Sequence, residues 1–322
     1  MSALSRRSVV ITATTAAAVF GLDKAVSFMP SAFAQDAASP VKGFHKFKVG
    51  DIEVTTLYDG VNVKPHDNGF IKNASVDDTK AALRASGQTD DAVRIPFTVT
   101  VVKIGGKTIM FDSGTGAQLA PTAGLLAGSM AAAGIDPSKI DTVVLTHFHP
   151  DHIFGLMTKG TNEPVYPNAQ IIAPAAEMAF WGDAGVFAKL PEGAHGLAKR
   201  IQATLAVWKN VRLIEAGSEV VPGISSIEAH GHTPGHTTYV MGLGKDQLMV
   251  LSDTANVPAL FVKNPGWHVQ FDRDPVTAEA VRRRLFDRAV ADNAVITGYH
   301  FGMPGAGRMA KDGNGYAFVP VA

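Results

Sequence analysis

The sequence predicts an α/β fold with mixed sheets. Three observations carry that expectation. Paired β-rich runs are separated by tight glycine turns, and alanine- and leucine-rich segments alternate with later β-branched runs. One of those runs, at 143–145, stops abruptly at a cluster of three histidines and an aspartate. A hairpin, helix, strand order of this kind is the mark of layered sheets and helices.

Residues 47–49 and 52–57 read as a hairpin around Gly50-Asp51, closed by Tyr58-Asp59-Gly60. The stretch 61–95 is polar and irregular, with a short helix near 77–85. A second hairpin, 97–102 and 107–111, turns at Ile104-Gly105-Gly106 and runs into Asp112-Ser113-Gly114-Thr115-Gly116. That glycine-rich segment lacks the G-x-x-x-x-G-K spacing of a phosphate cradle. Residues 117–134 are rich in Ala, Leu and Met and predict a helix ending at Gly134. After the strand at 143–145, Pro150 is expected to keep the following residues out of regular helix. Strands are expected at 169–173, 211–215, 236–241, 247–251 and 294–297, with an edge strand at 315–321. Helices are expected at 175–181 and 197–208, and from Pro275 to about 291, where Asp274 caps and proline takes the first helical position. On that last helix, Arg282, Arg283, Arg284 and Arg288 read as a solvated face.

The chain has 322 residues, of which 46% are hydrophobic, enough to fill one large core. Net charge is zero with no basic block, which argues against a nucleic-acid groove. The absence of cysteine removes disulfides, thiolate ligands and cysteine nucleophiles together. Residues 1–34 read as an export signal. Ser5-Arg6-Arg7-Ser8-Val9-Val10 resembles a twin-arginine motif, an apolar Ala/Thr-rich segment follows, and Ala32-Phe33-Ala34 offers a cleavage site before Gln35. The apolar stretch is too short for a membrane span and ends at Asp23-Lys24, so no membrane insertion is expected after processing. The mature chain, 35–322, is expected to be a single domain in the periplasm or outside the cell.

The chemistry is concentrated in Thr146-His147-Phe148-His149-Pro150-Asp151-His152. Alternate residues of an extended segment face the same way, so His147 and His149 can grip one ion. Asp151 and His152 follow at the turn and are placed to reach a second. Imidazole nitrogen and carboxylate oxygen suit zinc, although iron or manganese can use the same donors. A lone histidine is more often a core residue; three histidines and an aspartate in six positions are not explained that way.

This loop resembles the signature of the metallo-β-lactamase superfamily, and further matching pieces follow in the family's order. The resemblance implies a four-layer αβ/βα sandwich with helices on the outer faces, and two divalent metal ions, zinc foremost. It assigns His147, His149 and His236 to one ion, and Asp151, His152 and His300 to the other. Asp253 lies between them, and Asp151 and Asp253 are the carboxylates read as catalytic. Asp112 and His232 are implied as supporting groups that orient ligands rather than bind metal, and His230 is read with them.

Within the superfamily, His230-Gly231-His232-Thr233-Pro234-Gly235-His236-Thr237-Thr238-Tyr239-Val240, the Phe180-Trp181 pair and the 313–321 stretch are similar to methyl parathion hydrolase and lactonase-like relatives. By matched position, Trp181, Phe271 and Leu119 would line the substrate pocket. Asn256 would stand where acyl-homoserine lactonases have a tyrosine.

The expectation is an exported dizinc hydrolase. Two metals about 3.5–4 Å apart would share a hydroxide that cleaves esters, lactones or organophosphate triesters. Its partner is a small molecule, not nucleic acid, and the reading leaves room for a homodimer. The alternatives are a β-lactamase-type amide hydrolase, weakened by the missing cysteine, and a non-catalytic periplasmic metal binder.

Overall fold

A computed structural model describes residues 43–321, so the expected signal at 1–34 lies outside the described residues. The chain opens with β1 (Phe44–Val49) and β2 (Ile52–Lys64), followed by α1 (Val76–Ala85), β3 (Val93–Ile104) and β4 (Lys107–Phe111). Then come α2 (Leu126–Ala133), β5 (Thr142–Val144), the single helical turn α3 (Pro150–Ile153), β6 (Gln170–Pro174), α4 (Ala175–Trp181), α5 (His195–Leu205) and β7 (Val211–Ile214). The second half has β8 (Glu219–Val221), β9 (Ile224–Glu228), β10 (Thr237–Met241), β11 (Leu248–Ser252), α6 (Pro258–Phe261), α7 (Pro275–Ala291), β12 (Val295–Gly298), β13 (Ala306–Asp312) and β14 (Gly315–Pro320).

The strands form two seven-stranded sheets, ordered β1-β2-β3-β4-β5-β6-β7 and β14-β13-β12-β11-β10-β9-β8. Both are mixed: β4 through β7 run parallel, as do β11 and β12, and the remaining pairs are antiparallel. Apolar side chains from both sheets, among them Val102, Phe111, Val144, Tyr239, Leu248 and Val295, pack face to face between them. The outer face of the first sheet is covered with residues from α2, α4 and α5, and that of the second with residues from α1, α6 and α7. Each sheet is therefore apolar on both faces, which demands helices outside and produces the four layers. Among the described residues, no helix is long and apolar enough to cross a membrane.

Local chemistry explains the elements. Ile104 pairs with Lys107 across Gly105 and Gly106, whose φ values of 56° and 77° give the left-handed pair a two-residue hairpin turn needs. Ser75 and Asp78 close a reciprocal capping box on α1. On α7 the Asp274 side chain accepts from the Thr277 N–H, with Pro275 as the first helical residue.

Several boundaries differ from the sequence expectation, each for a physical reason. The helix predicted over 117–134 begins only at Leu126, because Ala117 (φ 56°) and Gly124 (φ 93°) take left-handed backbone. Tyr58-Asp59-Gly60 does not end a hairpin: β2 bulges there and continues to Lys64. The buried Asp59 then accepts from the N–H groups of Thr115 and Leu126, which anchors the start of α2. Pro150 starts a helical turn rather than preventing one, since its missing N–H costs nothing at that position. Strands β8, β9 and β13 were not expected from the sequence. Arg282 is not solvated but 1% exposed, its guanidinium bonded to the carbonyls of Thr254, Pro265 and Trp267 and to Asp272. Arg284 and Arg288 are exposed and Arg283 is half-buried.

Gly60 has φ 120°, and a Cβ there would stand 2.3 Å from the Thr122 carbonyl oxygen, whereas one on Gly106 would meet nothing within 4 Å. Gly60→Ala is therefore expected to cost about 2–4 kcal/mol and Gly106→Ala about 1 kcal/mol, measured by urea unfolding. Equal costs would show that close packing at the bulge is not what demands glycine.

Candidate metal centre

Parallel pairing within each sheet brings strand ends to the same edge. Asp112 follows β4 and the 146–152 loop follows β5; Asp253 follows β11 and His300 follows β12. Ligand sites form at the carboxyl ends of such strands. The sheets are tied together at this edge by the Tyr239 hydroxyl donating to the Leu145 carbonyl (2.7 Å) and by the Thr237 N–H donating to the Thr146 carbonyl (3.0 Å). Asp112 (φ 61°) and Ser252 (φ 48°) both hold left-handed backbone where their strands turn into the site. Such strain persists only where the surroundings impose it.

Ligand-type atoms converge in two groups. In the first, atoms of His147, His149, His232 and Asp253 all lie within 4.8 Å of one another, and in the second those of Asp151, His152 and His300 do. Asp253 joins them: its Oδ2 is 2.9 Å from His300 Nε2 and 3.3 Å from His232 Nε2, and its Oδ1 is 3.3 Å from His152 Nε2. Asp151 Oδ2 stands 3.5 Å from His152 Nε2 and 3.6 Å from His300 Nε2.

His236, expected as the third imidazole of the first group, is not in it. That place belongs to His232, expected only as a supporting residue. The chain from 229 to 236 folds into a tight turn, with Gly231 at φ 118° and the Ala229 N–H bonded to the His236 carbonyl. His236 is buried with Nδ1 against the Ala229 carbonyl (3.0 Å), while His232 Nε2 lies 3.0 Å from His149 Nδ1. A count along the sequence sees equivalent histidines; only the turn decides which one reaches Asp253. His230 pairs with Glu228 outside both groups.

The imidazoles are held from behind. Asp112 accepts from the Thr146 N–H (2.8 Å) and the Thr146 hydroxyl, and its Oδ2 lies 2.8 Å from His152 Nδ1. His147 Nδ1 is 3.0 Å from Thr146 Oγ1, and His300 Nδ1 is 2.9 Å from the Pro96 carbonyl. Three supports were not anticipated from the sequence. Tyr299 stacks on His152 with ring centres 3.8 Å apart and donates its hydroxyl to the Asp151 carbonyl. Glu177, wholly buried, accepts from the N–H groups of Phe148 (2.9 Å) and Gly235 (2.7 Å) and from Trp181 Nε1 (2.9 Å), clamping both histidine-bearing loops to α4. The signal available was Glu177 four residues before Trp181 on an apolar helix. The third support, Asp272, binds His232.

Burial pushes the protonated forms of His147 and His149 down, the latter to about 3, so both rings present lone pairs at neutral pH. Burial acts likewise on His236, to about 3. Burial also opposes charge on His232, but hydrogen bonds to Asp253 and Asp272 outweigh it and lift the group to about 9.

The donor set fits a pair of divalent cations. His147 Nε2 and His152 Nε2 are buried without a hydrogen-bond partner, although each ring is anchored through Nδ1. Orphaned buried nitrogens of this kind are costly unless something electropositive meets them. Nitrogen and carboxylate donors in these numbers match zinc preferences.

Of the expected pocket residues, Trp181 is buried with its ring 6.2 Å from His149. Phe271 is 37% exposed and meets Phe70 edge-on. Leu119 is 40% exposed on the irregular loop before α2. Asn256 is buried three residues beyond Asp253, its amide oxygen accepting from the Val257 N–H.

Fold and site define a class: a two-sheet sandwich carrying a histidine–aspartate cluster at one edge. Residues 96–300 match the model of the metallo-beta-lactamase superfamily, and the chain belongs to that family. Among solved structures, a dizinc quorum-quenching lactonase, AidC, in complex with the product N-hexanoyl-L-homoserine, is 26% identical with a TM-score of 0.81, covering 87% of this chain and 98% of that one. The hydrolase AbOPH is 25% identical with a TM-score of 0.82, covering 88% and 99%. Among curated proteins, an N-acyl homoserine lactonase from Bacillus sp is 25% identical over 123 residues, 38% of this chain and 41% of that protein. A ribonuclease Z from Agathobacter rectalis is 38% identical over 82 residues, 24% of each. The match thus spans well under half the length of these two curated relatives.

If His232 and not His236 completes the first group, His232→Ala should lose one of two bound zinc equivalents on dialysis, while His236→Ala retains both; atomic emission distinguishes them. Glu177→Ala leaves three buried N–H groups unpaired, those of Phe148, Gly235 and the Trp181 indole, and should lower stability by at least about 3 kcal/mol in chemical unfolding.

Proposed function

We propose that the chain is a dimetal hydrolase of lactones and carboxylic esters. The observation that carries this reading is the junction of two ligand groups through Asp253, assembled from four separate loops rather than from one histidine-rich tract. A site built from separated strand ends leaves room for substrate, which a storage or transport tract does not need. The likeness to a dizinc lactonase over almost that protein's whole length supports the substrate class.

His147, His149 and His232 would hold one cation, and Asp151, His152 and His300 the other, with Asp253 between. Such a pair supplies Lewis acidity and lowers the pKa of water toward neutrality. The chain's own groups do the rest. Asp112, Thr146 and Tyr299 fix the rings and the Asp151 backbone, so that nothing need reorganise as charge develops. Trp181 places an apolar wall beside His149, suited to an acyl chain or an apolar leaving group. Asp253, nearest to both groups, can take the proton that water gives up as its oxygen bonds to the acyl carbon. It can return that proton to the alkoxide when the carbon–oxygen bond breaks. No cysteine is present to act as nucleophile.

The proposal extends to phosphotriesters, whose leaving groups can also be apolar. Residues 1–34 are proposed to export the folded, loaded protein.

The test is a panel of N-acyl homoserine lactones, dihydrocoumarin, phenyl acetate, paraoxon and nitrocefin, assayed with zinc content measured in parallel. Lactone and ester turnover is expected, lost on chelation and restored by zinc, with nitrocefin inert. A zinc-replete protein inert toward every substrate would sink the reading. Export is checked separately by sequencing the amino terminus of secreted material, which should begin at Gln35.

A further inference from the structure

Behind His232 lies a polar arrangement that neither the family match nor the relatives assign. His232 Nδ1 is 2.9 Å from Asp272 Oδ1, and both residues are buried. The other oxygen of Asp272 accepts from Arg282 Nη2 at 3.2 Å. Arg282 is itself fixed by the carbonyls of Thr254, Pro265 and Trp267 and lies under the Phe261 ring. The backbone is tied as well: the N–H groups of Arg273 and Asp274 donate to the carbonyls of His232 and Gly231. The segment from 272 to 274 therefore grips the turn at 231–232 by side chain and main chain together.

Burying an arginine and a carboxylate is expensive, and for stability alone an apolar pair of similar volume serves as well or better. Their geometry suggests what they are for. Asp272 has one oxygen toward the imidazole and the other toward a guanidinium that cannot rotate. A carboxylate so fixed can accept from only one ring nitrogen of His232, Nδ1, and so leaves Nε2 directed at Asp253 and His149. Thr254, one of the carbonyls Arg282 holds, directly follows Asp253 in the chain. Arg282 thus locks the Asp253 strand end and, through Asp272, the His232 ring into one frame.

Resting on the dimetal reading above, we propose that Asp272, held by Arg282, is the positioning residue for His232: it fixes the ring as the Nδ1–H tautomer with Nε2 free for the first cation. Of the histidines in the first group, His232 alone is held by a carboxylate through its far nitrogen, as Nδ1 of His147 meets a hydroxyl. Loss of such a carboxylate typically weakens metal affinity 10–100-fold.

Zinc affinity, measured by competition with a chromophoric chelator, tests this without recourse to turnover. In Asp272→Asn one of the two zinc equivalents should weaken about 10–100-fold and the other change little. Placed on His232→Ala, the same substitution should cause no further loss, because its effect runs through that ring. A cobalt-substituted Asp272→Asn protein should also show an altered visible ligand-field spectrum. Long-range nitrogen–proton NMR on the native zinc protein needs no variant and should find His232 protonated at Nδ1. Unchanged zinc affinity in Asp272→Asn, additive losses in the double variant, or a proton on Nε2 would each overturn the proposal. A native chain that binds no zinc would instead defeat the dimetal reading itself.

Discussion

The imidazoles are anchored through the nitrogen that faces away from the cluster, and the rest of the site depends on that constraint. A buried histidine free to rotate would turn its orphaned nitrogen to the nearest carbonyl and the cluster would dissolve. Here Asp112 holds His152, Asp272 holds His232, the Pro96 carbonyl holds His300 and Thr146 holds His147. With Nδ1 taken in each of these four rings, Nε2 points inward. His149 alone is turned the other way, presenting Nδ1 to His232. The anchors come from separate segments, Pro96 on β3, Asp112 and Thr146 just past β4 and β5, and Asp272 ahead of α7, so the convergence is a property of how the two sheets and their loops meet.

That meeting is itself costly. Asp112, Asp253, Asp272, Glu177 and Arg282 are all buried, and the backbone at Asp112 and Ser252 is forced into left-handed conformation. The apolar layer between the sheets and the two helical layers outside supply the stability against which this strain is held. Glu177 shows how layers and site are joined. One carboxylate from an outer helix binds a main-chain N–H in each histidine loop and the Trp181 indole, so both loops and the Trp181 ring are tied to one helix.

Much of this was legible in the residues. The 146–152 loop announces a metal site by density alone, since four ligand-type residues in six positions have no packing explanation. The Asp274-Pro275 start of the last helix and the Ile104-Gly105-Gly106 turn were readable because capping and turn chemistry are local. What was misread depended on distance. Arg282 sits among four arginines within seven residues on a helix, indistinguishable from its neighbours in sequence, and is buried only because Asp272 and three carbonyls await it. The helix expected from 117 is cut short by two left-handed residues, Ala117 and Gly124, the second of which donates its N–H to the carbonyl of Asp59, far off in sequence.

By itself the sequence determined the class of fold, most of the side chains that converge at the site and the family to which the chain belongs, because periodicity, turn residues and a dense motif are properties of neighbouring positions. Tertiary structure alone decided between His232 and His236, and recruited Glu177, Asp272 and Tyr299 behind the site. Those outcomes turn on which nitrogen faces which oxygen across two sheets, a relation of ångströms and angles that residue order does not encode.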